Sequence, residues 1–257
     1  MVKSWPTKLL IPCWGSIHTD RKALSRIARC CRVLGVSETP VPIPVEDWIE
    51  GPLCIRLGFG DLSHLGPGVL GAAFVDGPEI LIDEQVLANE GRCRFTCAHE
   101  LGHLTLHAKL RQTFQDTHAD VSYSEETLEW QADRFATAFL MPLPLLERLL
   151  VQVLSDEGLD RAKCVYQLMQ PTAESEWLWR YKLLPIITER FAVSLSAAIY
   201  RCTSVQPQIT DPRPLLHRSL RKRLLAPGRY TGYLASVHVV DGVPKYSGPF
   251  TSSQEGA

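Results

Sequence analysis

Hydrophobic and polar positions follow two periods along this chain. Residues 19–35 place Ala23, Ile27, Cys30 or Cys31 and Leu34 along one side at helical spacing, and Gly35 is a stop signal, so a helix is expected there. SETPVPIPVEDW follows and reads as a proline-rich connector. From about residue 53 the pattern turns strand-like: LCIRLGFG, then GVLGAAFV, then PEILID. Asp76-Gly77 separates the last two runs and predicts a hairpin, and Pro78 suits a strand start or an edge position.

Helical spacing returns from about Gly91 to Lys109 (GRCRFTCAHELGHLTLHAK) and again from about Glu125 to Leu140 (EETLEWQADRFATAFL), closed by Met141-Pro142. A polar loop covers roughly 111–124. Leu145 to Leu154 predicts a third helix with Leu146, Leu149, Leu150 and Val153 inward. WRYKLLPIITERFAVSLSAAIYRC reads as two short helices about a turn at Phe191–Ser194, and YLASVHVVDGVPKY as a second hairpin about Asp241-Gly242.

Composition narrows the class without naming a function. The 257 residues are 45% hydrophobic and 21% charged, which is a globular balance, and the net charge of -1 gives no global pull towards nucleic acid or anionic membrane. The apolar stretch near the N-terminus is broken by Pro6 and Pro12 and is too short for a secretory core, and no run of about 18 apolar residues occurs. A cytoplasmic protein that makes no use of a membrane is therefore expected. The 8 cysteines then read as reduced, mostly buried thiols. No C-x-x-C pair is present, and Cys93 and Cys97, one helical turn apart, read as packing residues.

The chemistry lies in His99-Glu100-Leu101-Gly102-His103, an H-E-x-x-H pattern inside an expected helix. Positions four apart differ by roughly 40° about the axis and about 6 Å along it, so both imidazoles can converge on one metal ion. Glu100 stands beside them to take a proton from an attacking water rather than to ligate. A shuffled chain of this composition would hold roughly 0.02 such patterns, which makes the match informative.

Catalytic zinc takes three protein ligands and keeps one open position. The next helix offers Glu129 as the third ligand, with Asp133 one turn later to accept a hydrogen bond from a ligand imidazole and fix its tautomer. Ala132 and Ala136 allow close approach of that helix. His107 lies about 12 Å along the axis from His99, too far to share a tetrahedral site, and reads as a helix-end residue, satisfied by hydrogen bonds or lining the cleft as a substrate contact. His118 and Tyr123, in the polar loop, are candidate oxyanion or substrate contacts. GVLGAAFVDGPEILID can supply an edge strand to which a peptide substrate adds.

With ILIDEQ, RCRFTCAHELGHLTLH, LEWQADRFATAFLMP and ITERFAVSLSAAIYR in this order over roughly residues 40–205, the chain resembles the ImmA/IrrE family of bacterial metallo-endopeptidases. The resemblance implies an α+β fold, a zincin-like domain followed by a helical lobe of helix-turn-helix type. It implies metal ligands at His99, His103 and Glu129, a catalytic Glu100, and Zn2+ as cofactor, with Mn2+ suited to the same donors. It also implies a protein substrate, a helix-turn-helix transcriptional repressor whose cleavage releases stress-response, prophage or mobile-element genes. Gln131 stands where many members carry a second glutamate, at a position expected to point away from the site.

Four segments follow: 1–40, an N-terminal helix and connector; 41–154, the peptidase domain; 155–205, the helical lobe; and 206–257, a basic segment with a hairpin. The alternative function is a catalytically silent zinc-binding regulator that binds a repressor or DNA without cutting. Ser194 suits the N-cap of a recognition-type helix, but that helix offers a phosphate backbone little beyond Arg201. RPLLHRSLRKRLLAPGR carries basic residues and no acidic one, and reads as a solvated amphipathic helix, or else a contact for nucleic acid or an acidic partner surface.

Overall fold

A computed structural model of the chain describes residues 13–108, 125–169, 172–203, 216, 218–226, 236–240 and 243–247. The architecture is α+β, as expected from the sequence. The first helix, α1 (Cys13–Leu34), starts six residues before the periodicity predicts and buries Ala23, Ile27 and Cys30. The connector is not wholly irregular. Val45–Glu50 forms a short helix, α2, with Glu46 and Asp47 in its first turn, where negative charge suits the helix dipole. It inserts Trp48 edge-on against Phe139, ring centroids 6.1 Å apart.

Three strands make the sheet: β1 (Arg56–Gly60), β2 (Gly71–Phe74) and β3 (Glu79–Asp83), in the order β1-β3-β2. The hairpin is the expected one, with Gly71 opposite Ile82 and Phe74 opposite Glu79. β1 joins the other side of β3 in parallel, Arg56 beside Glu79 and Gly60 beside Asp83. Ile80 and Ile82 are buried, as alternation along a half-covered strand requires. At the end of β3 the buried Asp83 carboxylate accepts from the Leu62 N–H at 3.0 Å and the Gln85 N–H at 2.9 Å, tying the β1–β2 loop to the sheet.

Helices α3 (Glu90–Leu106) and α4 (Glu125–Leu140) fall within a few residues of their expected bounds. They cross at Gly102, where a Cβ would lie 3.2 Å from the Ala132 Cα and 3.2 Å from the Phe135 ring. Two small residues therefore set how closely the helices approach. Phe135 and Phe139 stack beneath this crossing at 5.8 Å.

The third expected helix is α5 (Leu143–Asp156), which follows Pro142. Beyond it stand α6 (Arg161–Gln167) and a helical run from Ala173 to Phe191; the sequence marked a helical lobe here but delimited no helix before Trp179. The run comprises α7 (Ala173–Trp177), a π-helical stretch (Leu178–Leu183) and α8 (Leu184–Phe191). Pro185 explains the π stretch: it has no N–H to continue the ladder, and its ring displaces the preceding turn. Ala192, in the left-handed region at φ 49, ends α8, and α9 (Leu195–Thr203) departs at 109°, the angle of a helix-turn-helix pair. The Ser194 hydroxyl accepts from the Ala197 N–H at 3.2 Å, as an N-cap should. The basic run is helical, α10 (Arg218–Leu224), and β4 (Ser236–Val240) pairs with β5 (Val243–Ser247) in an antiparallel hairpin.

A single apolar cluster runs from Ala23 to Leu224 and draws on all four segments marked out by sequence. Two buried arginines reinforce it. Arg94 on α3 donates to the carbonyls of Ile43 (2.7 Å) and Ala192 (3.0 Å), joining the connector to the α8–α9 turn. Arg201 on α9 donates to the Met141 carbonyl at 2.9 Å and to Asp20 of α1 at 3.0 Å, and Arg134 of α4 lies 3.7 Å from the same carboxylate. Among the described residues no single helix is long and apolar enough to cross a membrane.

Candidate metal centre

The third and fourth turns of α3 face the second and third turns of α4, and the side chains between them converge on a small cleft. His99 directs Nδ1–H to the Asp133 carboxylate at 2.9 Å, which leaves Nε2 as the nitrogen that faces the cleft. That Nε2 lies 3.0 Å from the Nε2 of His103 and 3.1 Å from Glu129 Oε2, while His103 Nε2 lies 3.3 Å from Glu129 Oε1. A tetrahedral zinc site with bonds of about 2.0 Å has edges of about 3.3 Å. Two imidazole nitrogens and one carboxylate, spaced in this way, fit a small divalent cation and leave a corner open to the cleft. Among the described residues only one other cluster could hold an ion, Glu46 with Cys93 and Cys97, and both thiols there are buried in the core.

Electrostatics point the same way. Burial opposes charge on His99, but the hydrogen bonds to Asp133 and Glu129 and the nearby Glu100 carboxylate outweigh it and raise its pKa to about 10. Hydrogen bonds from His103 and then His99 hold the Glu129 carboxyl far below the usual carboxylate range. The cluster therefore attracts positive charge, and a proton that occupies it is one a divalent cation would displace.

Glu100 sits at the floor of the cleft, 7% exposed. Its carboxylate lies under β2, and the contact depends on a missing side chain: a Cβ on Gly71 would meet Glu100 Oε1 at 2.7 Å. A glycine inside a strand often marks such a close approach, and that signal was present in GVLGAAFV. The cleft, about 280 Å³, is lined by Gly71 to Phe74 of β2, by Leu65 from the β1–β2 loop, and by His99, Glu100, His103 and Glu129. β2 is an edge strand of its sheet, and it forms one wall.

Three expectations are settled here. Of the two readings of His107, the hydrogen-bonded helix-end residue holds and the cleft contact does not: it is 2% exposed, and it turns its Nδ1 to His103 Nδ1 (3.1 Å) and its Nε2 to Gln131 Oε1 (3.1 Å). Gln131, expected to point away, thereby reaches the site through His107. Arg201 is equally unavailable to a phosphate backbone, being 4% exposed and held by Met141 and Asp20. His118 and Tyr123 lie outside the described residues.

A family model for a peptidase domain, described as the IrrE N-terminal-like domain, matches residues 67–203. No curated protein matches the chain. Among solved structures, a Mycobacterium tuberculosis transcriptional regulator is similar over 77% of this chain and 49% of its own, with a TM-score of 0.42 and 14% identity. The chain thus spans about half the length of that regulator.

Proposed function

This chain belongs to the IrrE N-terminal-like peptidase family, a family of metallopeptidase-type or IrrE-like regulatory proteins, and on that footing we propose that it is a zinc-dependent, site-specific endopeptidase. The observation that carries the reading is the triangle of His99, His103 and Glu129 donors with the buried Glu100 carboxylate beside it on the floor of one cleft. Those three residues would hold zinc, which would supply Lewis acidity to a scissile carbonyl and to an attacking water.

The remaining steps belong to the chain. Glu100 accepts the proton of the attacking water and returns it to the departing amine nitrogen, the work of one carboxylate held at the reacting centre. Burial beneath Gly71 fixes where that carboxylate can stand. Asp133 holds the His99 ring with its lone pair turned inward. The edge of β2 accepts an extended peptide by strand addition, with Leu65 and Phe74, both partly exposed, offering apolar contacts for its side chains. Manganese suits the same donors.

The substrate class we favour is a helix-turn-helix repressor, met in the cytoplasm, whose removal switches on the genes it silences. Residues 41–154 carry the chemistry in this reading, and residues 155–205 cover it and dock the target. That α9 buries Arg201 and exposes chiefly Leu195 and Ser196 supports docking rather than DNA reading. The test is to incubate the zinc-loaded protein, and Glu100→Gln, with repressors encoded beside it and to read intact masses. One cut by the wild type and none by the variant is expected. Binding of a repressor by both forms without any cut would replace this reading with a zinc-dependent capture protein.

A further inference from the structure

The two proposed histidine ligands are supported differently. His99 rests on a carboxylate, which can only accept, so its proton must sit on Nδ1. His103 rests on a second imidazole, 3.1 Å away at its own Nδ1, and two imidazole nitrogens can be joined in either direction. The partner at the far end decides which. Gln131 turns Oε1 to His107 Nε2 at 3.1 Å, and an oxygen only accepts, so in this arrangement that nitrogen carries a proton and donates. The His107 tautomer with its proton there offers Nδ1 as an acceptor to Nδ1–H of His103. That arrangement turns the lone pair of His103 to Nε2, 3.0 Å from Nε2 of His99 and 3.3 Å from Glu129.

Were the chain reversed, His107 would donate and the proton of His103 would move to Nε2, where it would block ligation. We propose that His107 and Gln131 are positioning residues for the metal, a buried two-bond relay that sets the tautomer of His103. The proposal rests on the reading of His103 as a ligand. The relay ends in a neutral amide, whereas His99 is supported by a charge. The burial of His107, at 2% exposure, keeps water from supplying the same hydrogen bonds. Outer hydrogen bonds of this kind are typically worth about 10–100-fold in metal affinity.

The experiment measures zinc affinity by competition with a chromophoric chelator on wild type, Gln131→Leu, Gln131→Glu and His107→Phe, with melting curves to confirm that each is folded. Gln131→Leu keeps the bulk and removes the acceptor, so affinity should fall about 10–100-fold. Gln131→Glu keeps an acceptor in the same place and should bind at least as tightly as wild type. Because His107→Phe could unfold so buried a site, the Gln131 pair carries the test. Folded Gln131→Leu with wild-type affinity, or Gln131→Glu as weak as Gln131→Leu, would overturn the relay. Wild type that binds no zinc would instead overturn the metal centre itself. In the zinc-loaded wild type, long-range nitrogen NMR should find His107 protonated at Nε2 and bare at Nδ1; the opposite tautomer refutes the proposal.

Discussion

Asp133 and Arg134 are neighbours in sequence, yet each serves a different polar cluster on α4. Asp133 looks towards α3 and the cleft, where the Nε2 atoms of His99 and His103 meet the Glu129 carboxylate. Arg134 looks towards α1 and α9, where two guanidiniums share the Asp20 carboxylate and Arg201 also satisfies the Met141 carbonyl. In the second cluster opposite charges meet directly across three helices, although Arg134 Nε is left without a hydrogen-bond partner. In the first, two imidazoles and a carboxylate gather their ligand atoms on one side of a cleft. Polar residues are expensive to bury in either place. A cluster of paired opposite charges ties elements together, and one that gathers metal-ligating atoms beside a cleft is fit for a cation.

Four substitutions test that contrast. The largest effect should come from Glu100→Gln, which removes the proton acceptor: cleavage falls ~10²–10⁴-fold while zinc content, read by metal analysis, stays at the wild-type level. Turnover equal to wild type would end the role assigned to Glu100. Arg201→Ala takes the nearer guanidinium from Asp20 and leaves the Met141 carbonyl without its donor, at a cost of about 1–3 kcal/mol in urea unfolding. Zinc affinity of the folded protein should not follow it; a parallel loss would mean that the two clusters are one unit.

Gly71→Ala comes third. The new Cβ meets Glu100 Oε1 at 2.7 Å, Glu100 Cγ at 2.8 Å and Thr96 Cγ2 at 2.9 Å, so buried side chains must shift and stability should fall by about 1–3 kcal/mol. Displacing a reacting group by about 1 Å also costs about 10²-fold, so turnover should drop with zinc still bound. Unchanged kinetics would show that Glu100 needs no seat beneath β2. The smallest effect belongs to Ser194→Ala, which uncaps α9 and should lower stability by about 1 kcal/mol without touching metal or rate.

Much of this site could be read from the chain because its parts are local. H-E-x-x-H puts the two proposed histidine ligands on one helix, and E-x-x-x-D puts the proposed third ligand and its support on the next. What could not be read depends on how helices cross. A helical wheel sets Gln131 about 200° from Glu129, and only the close crossing at Gly102 and Ala132, with α3 ending at Leu106, brings the amide to His107. The fold shows the same divide. Long periodic segments and the Asp76-Gly77 hairpin were plain, whereas Val45–Glu50 is too short to show a period and stands beside prolines. The run through Pro185 stays helical because its apolar side, including Trp179 and Leu183, packs into the core and outweighs one lost hydrogen bond.

The stitching by Arg94 and Arg201 bears on how such a chain can evolve. Recombination that exchanged everything after Leu154 for a relative's segment would part Arg94 from the Ala192 carbonyl and Asp20 from Arg201, and would take Ile187 and Phe191 out of the shared interior. Exposed positions such as Leu195 and Ser196 can therefore drift, but the helices beneath them are inherited together with the half that holds the cleft.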